Sequence, residues 1–173
     1  KVNTATTQIK SYFPHVGNVS GPPSTNVYSI FIDKSKRIWL GTGNGISIMN
    51  PETEQFKNYS TKKRLSSQTV LSILVDHNQI AWLSTPNGIS KFDESTGVFI
   101  NYDNNDGILP NAETSFIDEN GTIYFGGVNG ITIFTPIPYG VTFLNPRWFL
   151  RILKFSIRAF YTIKELFRFI LTI

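Results

Sequence analysis

NVYSIFIDKSKRIWLGTGNGISIMNPETEQFKNY, residues 26–59, returns 43 residues later as TVLSILVDHNQIAWLSTPNGISKFDESTGVFINY, residues 69–102, in register and without a gap. Ser29/Ser72, Asp33/Asp76, Trp39/Trp82, Thr42/Thr85, Gly45/Gly88, Thr53/Thr96, Phe56/Phe99 and Tyr59/Tyr102 are identical pairs. A third copy, AETSFIDENGTIYFGGVNGITIFTP, follows at a spacing of 42 residues. In it Asp118, Tyr124, Asn129, Gly130, Ile131 and Phe134 take the places of Asp76, Trp82, Asn87, Gly88, Ile89 and Phe92. Upstream, TATTQIKSY sets Thr6, Ile9 and Tyr12 against Thr53, Phe56 and Tyr59. Residues 1–25 therefore read as the last strand of a truncated preceding unit and a link.

Each unit offers four short runs rich in β-branched and aromatic residues; in the first copy these are Val27–Ile32, Ile38–Thr42, Gly45–Met49 and Gln55–Tyr59. Asp-Lys-Ser-Lys, a Gly/Asn pair and Asn-Pro-Glu-Thr separate them, and these are turn chemistries rather than helix caps. No run is apolar at helical spacing, which excludes helical repeats of similar period. Four strands in 40–45 residues describe a β-propeller blade. The expectation is an all-β, partial β-propeller: three four-stranded blades within 26–138 (26–59, 69–102 and 111–136), after the remnant of another.

Composition bounds the chemistry. The 173 residues are 40% apolar, 14% aromatic and 16% charged, with net charge +4 and no cysteine. That is enough apolar matter for a packed domain and excludes disulfide scaffolds, thiolate zinc sites and thiol nucleophiles. The two histidines, His15 and His77, leave little room for imidazole chemistry. No window of 18 uncharged apolar residues exists to span a bilayer. The opening KVNTATTQIK has neither an initiator Met nor an apolar signal run, so a targeting peptide is expected to be absent or removed.

The charge is concentrated in the tail. Residues 1–140 carry 10 Lys/Arg against 11 Asp/Glu, whereas 141–173 carry Arg147, Arg151, Lys154, Arg158, Lys164 and Arg168 against Glu165 alone. Asn145-Pro146 suits the start of a helix. At helical spacing Arg147, Arg151, Lys154, Arg158 and Glu165 share one side, with Trp148, Phe149, Ile152, Phe155, Phe160 and Phe167 around the rest. The expectation for 139–173 is a basic amphipathic helix, with 147–170 able to lie on an anionic membrane surface. An out-of-frame continuation of the coding sequence is the rival account of this tail.

SIFIDKSKRIWLGTGNGIS, SILVDHNQIAWLSTPNGIS and SFIDENGTIYFGGVNGITIF, with the tails FKNY and FINY and the link YDNNDGILPNAE, resemble the two component regulator propeller repeat over roughly residues 1–138. FGGVNGITIFTP resembles the final blade that precedes a small β-sandwich in that family. The resemblance implies the periplasmic sensor region of a Bacteroidetes-type hybrid two-component histidine kinase. Such a region recognises glycan fragments and signals to kinase, receiver and DNA-binding modules across the inner membrane. Two features depart from the family. Three units and a remnant fall short of the roughly four to eight blades that close a propeller, and the tail replaces the sandwich.

Several residues merit weighing as sites. The Asn44-Gly45, Asn87-Gly88 and Asn129-Gly130 pairs either line a channel mouth or supply the positive φ of a tight hairpin. Their recurrence favours the turn. Asp33, Asp76 and Asp118, ending first strands, read as turn formers that accept backbone N–H bonds. Trp39, Trp82 and Tyr124 read as packing between blades, with sugar stacking as the rival role. Links vary between units, and specificity belongs on variable loops. Ser60–Thr69 gathers Lys62, Lys63 and Arg64, either an acidic-sugar contact or a solvated basic loop. Asp103–Glu113 gathers Asp103, Asn105 and Asp106, suggestive of sugar or calcium contacts but without EF-hand spacing, or a plain connector. The ligand-binding candidates are thus Lys62, Lys63, Arg64, Asn87, Asp103, Asn105 and Asp106. No catalytic constellation, cofactor site or metal cluster is expected, and no nucleic-acid partner. The expected role is glycan-sensing signal transduction. A non-catalytic interaction module whose open edge pairs with further blades or another chain is the alternative. A propeller lyase, which would need His15 or His77 as a base, ranks third.

Overall fold

The computed structural model describes residues 10–14, 20–59 and 65–136. Eleven strands run through them: β1 (Val27–Ile32), β2 (Ile38–Thr42), β3 (Gly45–Met49), β4 (Phe56–Tyr59), β5 (Ser72–Val75), β6 (Ile80–Thr85), β7 (Gly88–Asp93), β8 (Val98–Tyr102), β9 (Ala112–Ile117), β10 (Ile123–Gly127) and β11 (Gly130–Phe134). They form three antiparallel meanders, β1-β2-β3-β4, β5-β6-β7-β8 and β9-β10-β11. This is the expected all-β, propeller-like architecture. The fourth run of the first unit starts at Phe56 rather than Gln55. The third sheet has three strands among the described residues. The helix expected in 139–173 and residues 4–9 of the strand expected over TATTQIKSY lie outside them; the described remainder of that run, residues 10–12, is not in a strand.

The turns explain why the chain folds back where it does. After β1, β5 and β9 comes an Asp whose third follower has positive φ: Lys36 at 63°, Gln79 at 63° and Gly121 at 81°. Only the third unit uses the residue type that adopts this conformation without steric cost. The first two are held there by the Asp carboxylate: Oδ1 of Asp33 accepts from the amides of Ser35 and Arg37, and Oδ1 of Asp76 from those of Asn78 and Ile80. Asp118 does the same with Asn120 and Thr122.

The first strands β1, β5 and β9 approach one another and so lie innermost. Successive sheets pack face to face. Trp39, Ile46, Ile48 and Tyr59 of the first sheet meet Ile73, Val75, Leu83, Phe92 and Phe99 of the second. Leu74, Trp82 and Ile89 of the second meet Ile123, Phe125 and Phe134 of the third. Phe92 anchors the first interface, with ring centroids 6.4 Å from Trp39, 4.8 Å from Tyr59 and 4.4 Å from Phe99. On the outer face of the first sheet, Leu40, Met49 and Phe56 are covered by Tyr12, edge-on to Phe56 at 5.3 Å. Tyr12 thereby does for the first sheet what Tyr59 does for the second, as the alignment of the two residues implies.

Candidate functional site

The hairpin turns β2–β3, β6–β7 and β10–β11 and the links between sheets lie at the same end of the molecule, because each link crosses from an outermost strand to the next innermost one. Their backbone is knitted together. Gly45 N–H donates to Gln68 O at 2.6 Å, Val70 N–H to Thr42 O at 2.9 Å and Asn111 N–H to Thr85 O at 3.3 Å. Each turn begins with a Thr or its counterpart. Thr42 and Thr85 hydroxyls donate to Gly45 O and Gly88 O and accept from the amides of Asn44 and Asn87.

The Asn side chains have a role that the positive-φ reading missed. The glycines carry the positive φ, 89° at Gly45, 135° at Gly88 and 117° at Gly130. The Asn amides instead clamp the link entering their own sheet: Asn44 Nδ2 donates to Pro23 O (3.4 Å), Asn87 Nδ2 to Ser66 O (2.7 Å) and Asn129 Nδ2 to Pro110 O (3.3 Å). The Ser66 hydroxyl lies 3.0 Å from both the Thr85 and the Ser90 hydroxyls and can donate its one proton to either, while Ser90 donates to Asn101 Oδ1 at 2.7 Å. No pattern in one unit points to Ser66; it emerges only when the link folds over the turn.

Among the sequence-derived candidates, Asp103 lies against the β6–β7 turn at Gly88, the residue after Asn87: a Cβ there would strike the Tyr102 carbonyl and abut Asp103 Cα. Lys62, Lys63 and Arg64 lie outside the described residues, immediately before Leu65 and Ser66. Asp103, Asn105 and Asp106 form a capped 3-10 turn, Asn104–Asp106. Asp103 Oδ1 accepts from Asn105 N–H at 2.7 Å, and Asp106 Oδ2 accepts from Asp103 N–H at 3.1 Å. One oxygen of each carboxylate is thus committed to the backbone, while Asn105 projects to solvent. Gly107 closes the turn in the left-handed region, and Ile108 plugs the core behind it.

At the opposite end, Asp33 and Asp76 do more than form turns. Their Oδ2 atoms accept the indole N–H of Trp39 (2.9 Å) and Trp82 (3.0 Å), and Asp118 Oδ2 accepts the Tyr124 hydroxyl at 3.1 Å. The recurring six-residue spacing 33/39, 76/82 and 118/124 is the signal that would have revealed the pairing. Burial pushes the Asp33 carboxyl up, yet the Trp39 indole, the Arg37 amide and the Arg37 guanidinium together hold it below the ordinary carboxylate range. Backbone donation from Thr122, the Tyr124 hydroxyl and the Asn120 amide likewise lower Asp118 against desolvation. Trp39 and Trp82 are buried, so their rings are packing surfaces between sheets and present no face to a sugar. Arg37 also reaches across to Glu94 of the second sheet at 2.7 Å, where Lys57 joins at 3.2 Å. His77 is an exposed turn residue at this end, and His15 lies outside the described residues. Among the described residues no three His, Cys, Asp or Glu side chains gather to hold a metal, and no helix is long and apolar enough to cross a membrane.

Comparison with known proteins agrees with this architecture. Residues 21–44 match the family model described as two component regulator propeller. No curated protein matches the chain. Similar solved structures include the extracellular domains of two hybrid two component systems of B. thetaiotaomicron. One is 23% identical over 72% of this chain and 19% of its own, with a TM-score of 0.56. The other is 25% identical over 69% of this chain and 16% of its own, with a TM-score of 0.53. A virginiamycin B lyase from Staphylococcus aureus shares the fold at 20% identity, over 72% of this chain and 41% of its own, with a TM-score of 0.50. The chain thus spans less than a fifth of the length of the two sensor domains. At residues 21–44 the chain carries the two component regulator propeller repeat, on a fold it shares with extracellular domains of two-component sensors.

Proposed function

We propose that this chain is part of the extracytoplasmic, periplasmic sensor of a two-component phosphorelay, and that its link-and-turn end recognises an oligosaccharide. The repeat matched at residues 21–44 is the observation that carries the reading. Variable links pinned onto an invariant turn scaffold are a suitable place for recognition, because the scaffold fixes the loops while their sequences differ. Lys62, Lys63 and Arg64 supply cationic donors for an acidic or sulfated sugar. Asn87, Asp103, Asn105 and Asp106 supply the amide and carboxylate pairing that sugar hydroxyls use. The chain is read as non-catalytic, its signal being a ligand-dependent shift in sheet geometry passed to a kinase elsewhere.

Calorimetric titration of the chain with neutral, uronic-acid and sulfated oligosaccharides tests this reading. Replacing Lys62, Lys63 and Arg64 together by Ala is expected to weaken acidic-sugar binding roughly tenfold or more, since charge-assisted bonds are worth about 1.5–3 kcal/mol each. A folded chain that binds none of the panel overturns it. A second reading, an interaction module, is favoured by the apolar inner part of the first sheet's outer face, where Ile30 and Ile32 stand exposed.

A further inference from the structure

We propose that the cleft between the first and second sheets, at the end opposite the links, is a second binding site, for an uncharged polyhydroxylated ligand of one or two rings. The cleft has a volume of about 480 Å³, within the roughly 300–1,000 Å³ of small-molecule sites. Arg37, Asn50, Thr53, Gln55 and Lys57 of the first unit and Glu94 of the second line it, with the buried Ile48 among them. Its walls are adjacent sheets, so it lies within the array and not on either open face.

The repeat itself separates this lining from the scaffold. Residues that build the fold recur at spacings of 43 and 42, as Asp33, Asp76 and Asp118 do. The cleft residues do not. One unit further on, Ile80, Val98, Ile100 and Pro136 stand where Arg37, Gln55, Lys57 and Glu94 stand at the first interface. The fold thus builds the same junction elsewhere without these polar groups. Their chemistry sets the ligand class. Arg37 donates through Nε to Asp33 Oδ2 at 2.8 Å and through Nη1 to Glu94 Oε2 at 2.7 Å, and Lys57 Nζ donates to Glu94 Oε1 at 3.2 Å. Two cations face two carboxylates, so an ion of either sign meets a repelling group and no net attracting charge. Donors remain on Arg37, on Lys57 and on Asn50, whose Oδ1 is spent on the Glu52 and Thr53 amides. Glu94, Thr53 and Gln55 supply acceptors. A hydroxyl donates and accepts at once, so a ligand bearing several of them satisfies both sets, with charge-assisted bonds to Arg37 and Glu94. Ile48 offers an apolar contact to the carbon face of a ring. This site is separate from Lys62, Lys63 and Arg64 and does not rest on recognition at the link-and-turn end.

Titration of the isotope-labelled full chain with glucose, maltose, lactose, glucuronate and glucosamine tests the proposal, read by calorimetry and at the side-chain amide resonances of Asn50 and Gln55. At least one neutral sugar is expected to bind and shift both amides, and the two charged sugars to bind roughly tenfold more weakly or less. Gln55→Ala is expected to weaken binding roughly fivefold, the loss of one neutral hydrogen bond. Gln55→Trp, at an exposed position, fills the cleft and abolishes binding with unchanged circular dichroism. Replacing Lys62, Lys63 and Arg64 together by Ala leaves this binding unaltered. The proposal is overturned if no neutral sugar moves the two amides, or if either charged sugar binds as tightly as the neutral ones. Binding that survives Gln55→Ala undiminished overturns it as well, and that variant alone decides should Gln55→Trp fail to fold. Binding lost only in the triple variant assigns the sugar to the link-and-turn end and equally overturns it.

Discussion

Replacing Asp76 by Ala tests whether the carboxylate, rather than the apolar packing around it, fixes the β5–β6 turn. Asp76 is 5% exposed and accepts from Asn78 N–H at 2.8 Å, Ile80 N–H at 3.0 Å and the Trp82 indole at 3.0 Å. Asn78 faces solvent and its amide can turn to water. Ile80 and Trp82 are buried, so their donors are orphaned. A buried donor left unpaired costs about 1–3 kcal/mol. Two of them, with loss of the clamp on Gln79 at positive φ, give a cost of roughly 3–5 kcal/mol. Trp82→Phe removes one donor outright, so Asp76→Ala in that background should cost about 1–3 kcal/mol less than in the parent. Urea unfolding followed by far-ultraviolet circular dichroism reads both values without relying on the altered indole. The parallel Asp118→Ala substitution is expected to cost less than Asp76→Ala, since the Tyr124 hydroxyl is half-buried and reaches water. A coupling between positions 76 and 82 below about 0.5 kcal/mol would refute the reasoning, as would an Asp118→Ala cost equal to that of Asp76→Ala.

Asn87→Ala removes the clamp on Ser66 O and is expected to cost about 1 kcal/mol; hydrogen exchange at Val70 should quicken while β7 amides keep their protection. Gly88→Ala places a Cβ against the Tyr102 carbonyl at a φ of 135°, and a loss of roughly 2–4 kcal/mol in urea stability is expected. Acid should destabilise the fold through carboxyls held low in the native state. For Asp33 burial acts upward but the Trp39 and Arg37 donors prevail, and for Asp93 the Ser95 hydroxyl and amide dominate. A lowered folded-state pKa gives stability that is complete above the unfolded value of about 4 and is lost as pH falls through the folded one. Urea midpoints should therefore hold from neutrality to about pH 5 and fall below about pH 4, with a shallower fall in Asp33→Asn; an unchanged slope in that variant would count against the assignment.

The strand framework was legible because it rests on local grammar repeated in register. In the first unit, strand bounds read from β-branched runs and turn residues agree with the structure except for one residue at β4, where Gln55 precedes Phe56 in the turn. Interface residues were legible for the same reason: Trp39 and Trp82 recur at fixed positions and are buried, whereas Tyr124, read in the same way, is only half-buried. The functions of the polar repeats were less visible. Asn in Asn-Gly suggests a backbone conformation, but its amide acts on a link about twenty residues earlier, and no local pattern encodes that distance. Asp103 and Asp106 look like free carboxylates in sequence, and become turn caps only when their backbone closes on itself. Their availability to a ligand depends on that closure as much as on residue type.

The pinning of the link bears directly on how recognition would be transmitted. Residues 65–70 are held from both sides. Thr42 and Gly45 of the preceding sheet bond Val70 and Gln68, and Asn87 of the following sheet bonds Ser66. A link held so cannot move with one sheet alone, so a ligand drawn to Lys62, Lys63 and Arg64 would act on the spacing between two sheets rather than on a loose loop. That interface is stiff, built around Phe92 and its three ring contacts, and close-packed interiors transmit displacement instead of absorbing it. At the opposite end, Glu94 bridges the same two sheets through Arg37 and Lys57. The first interface is therefore tied at both ends and filled in the middle.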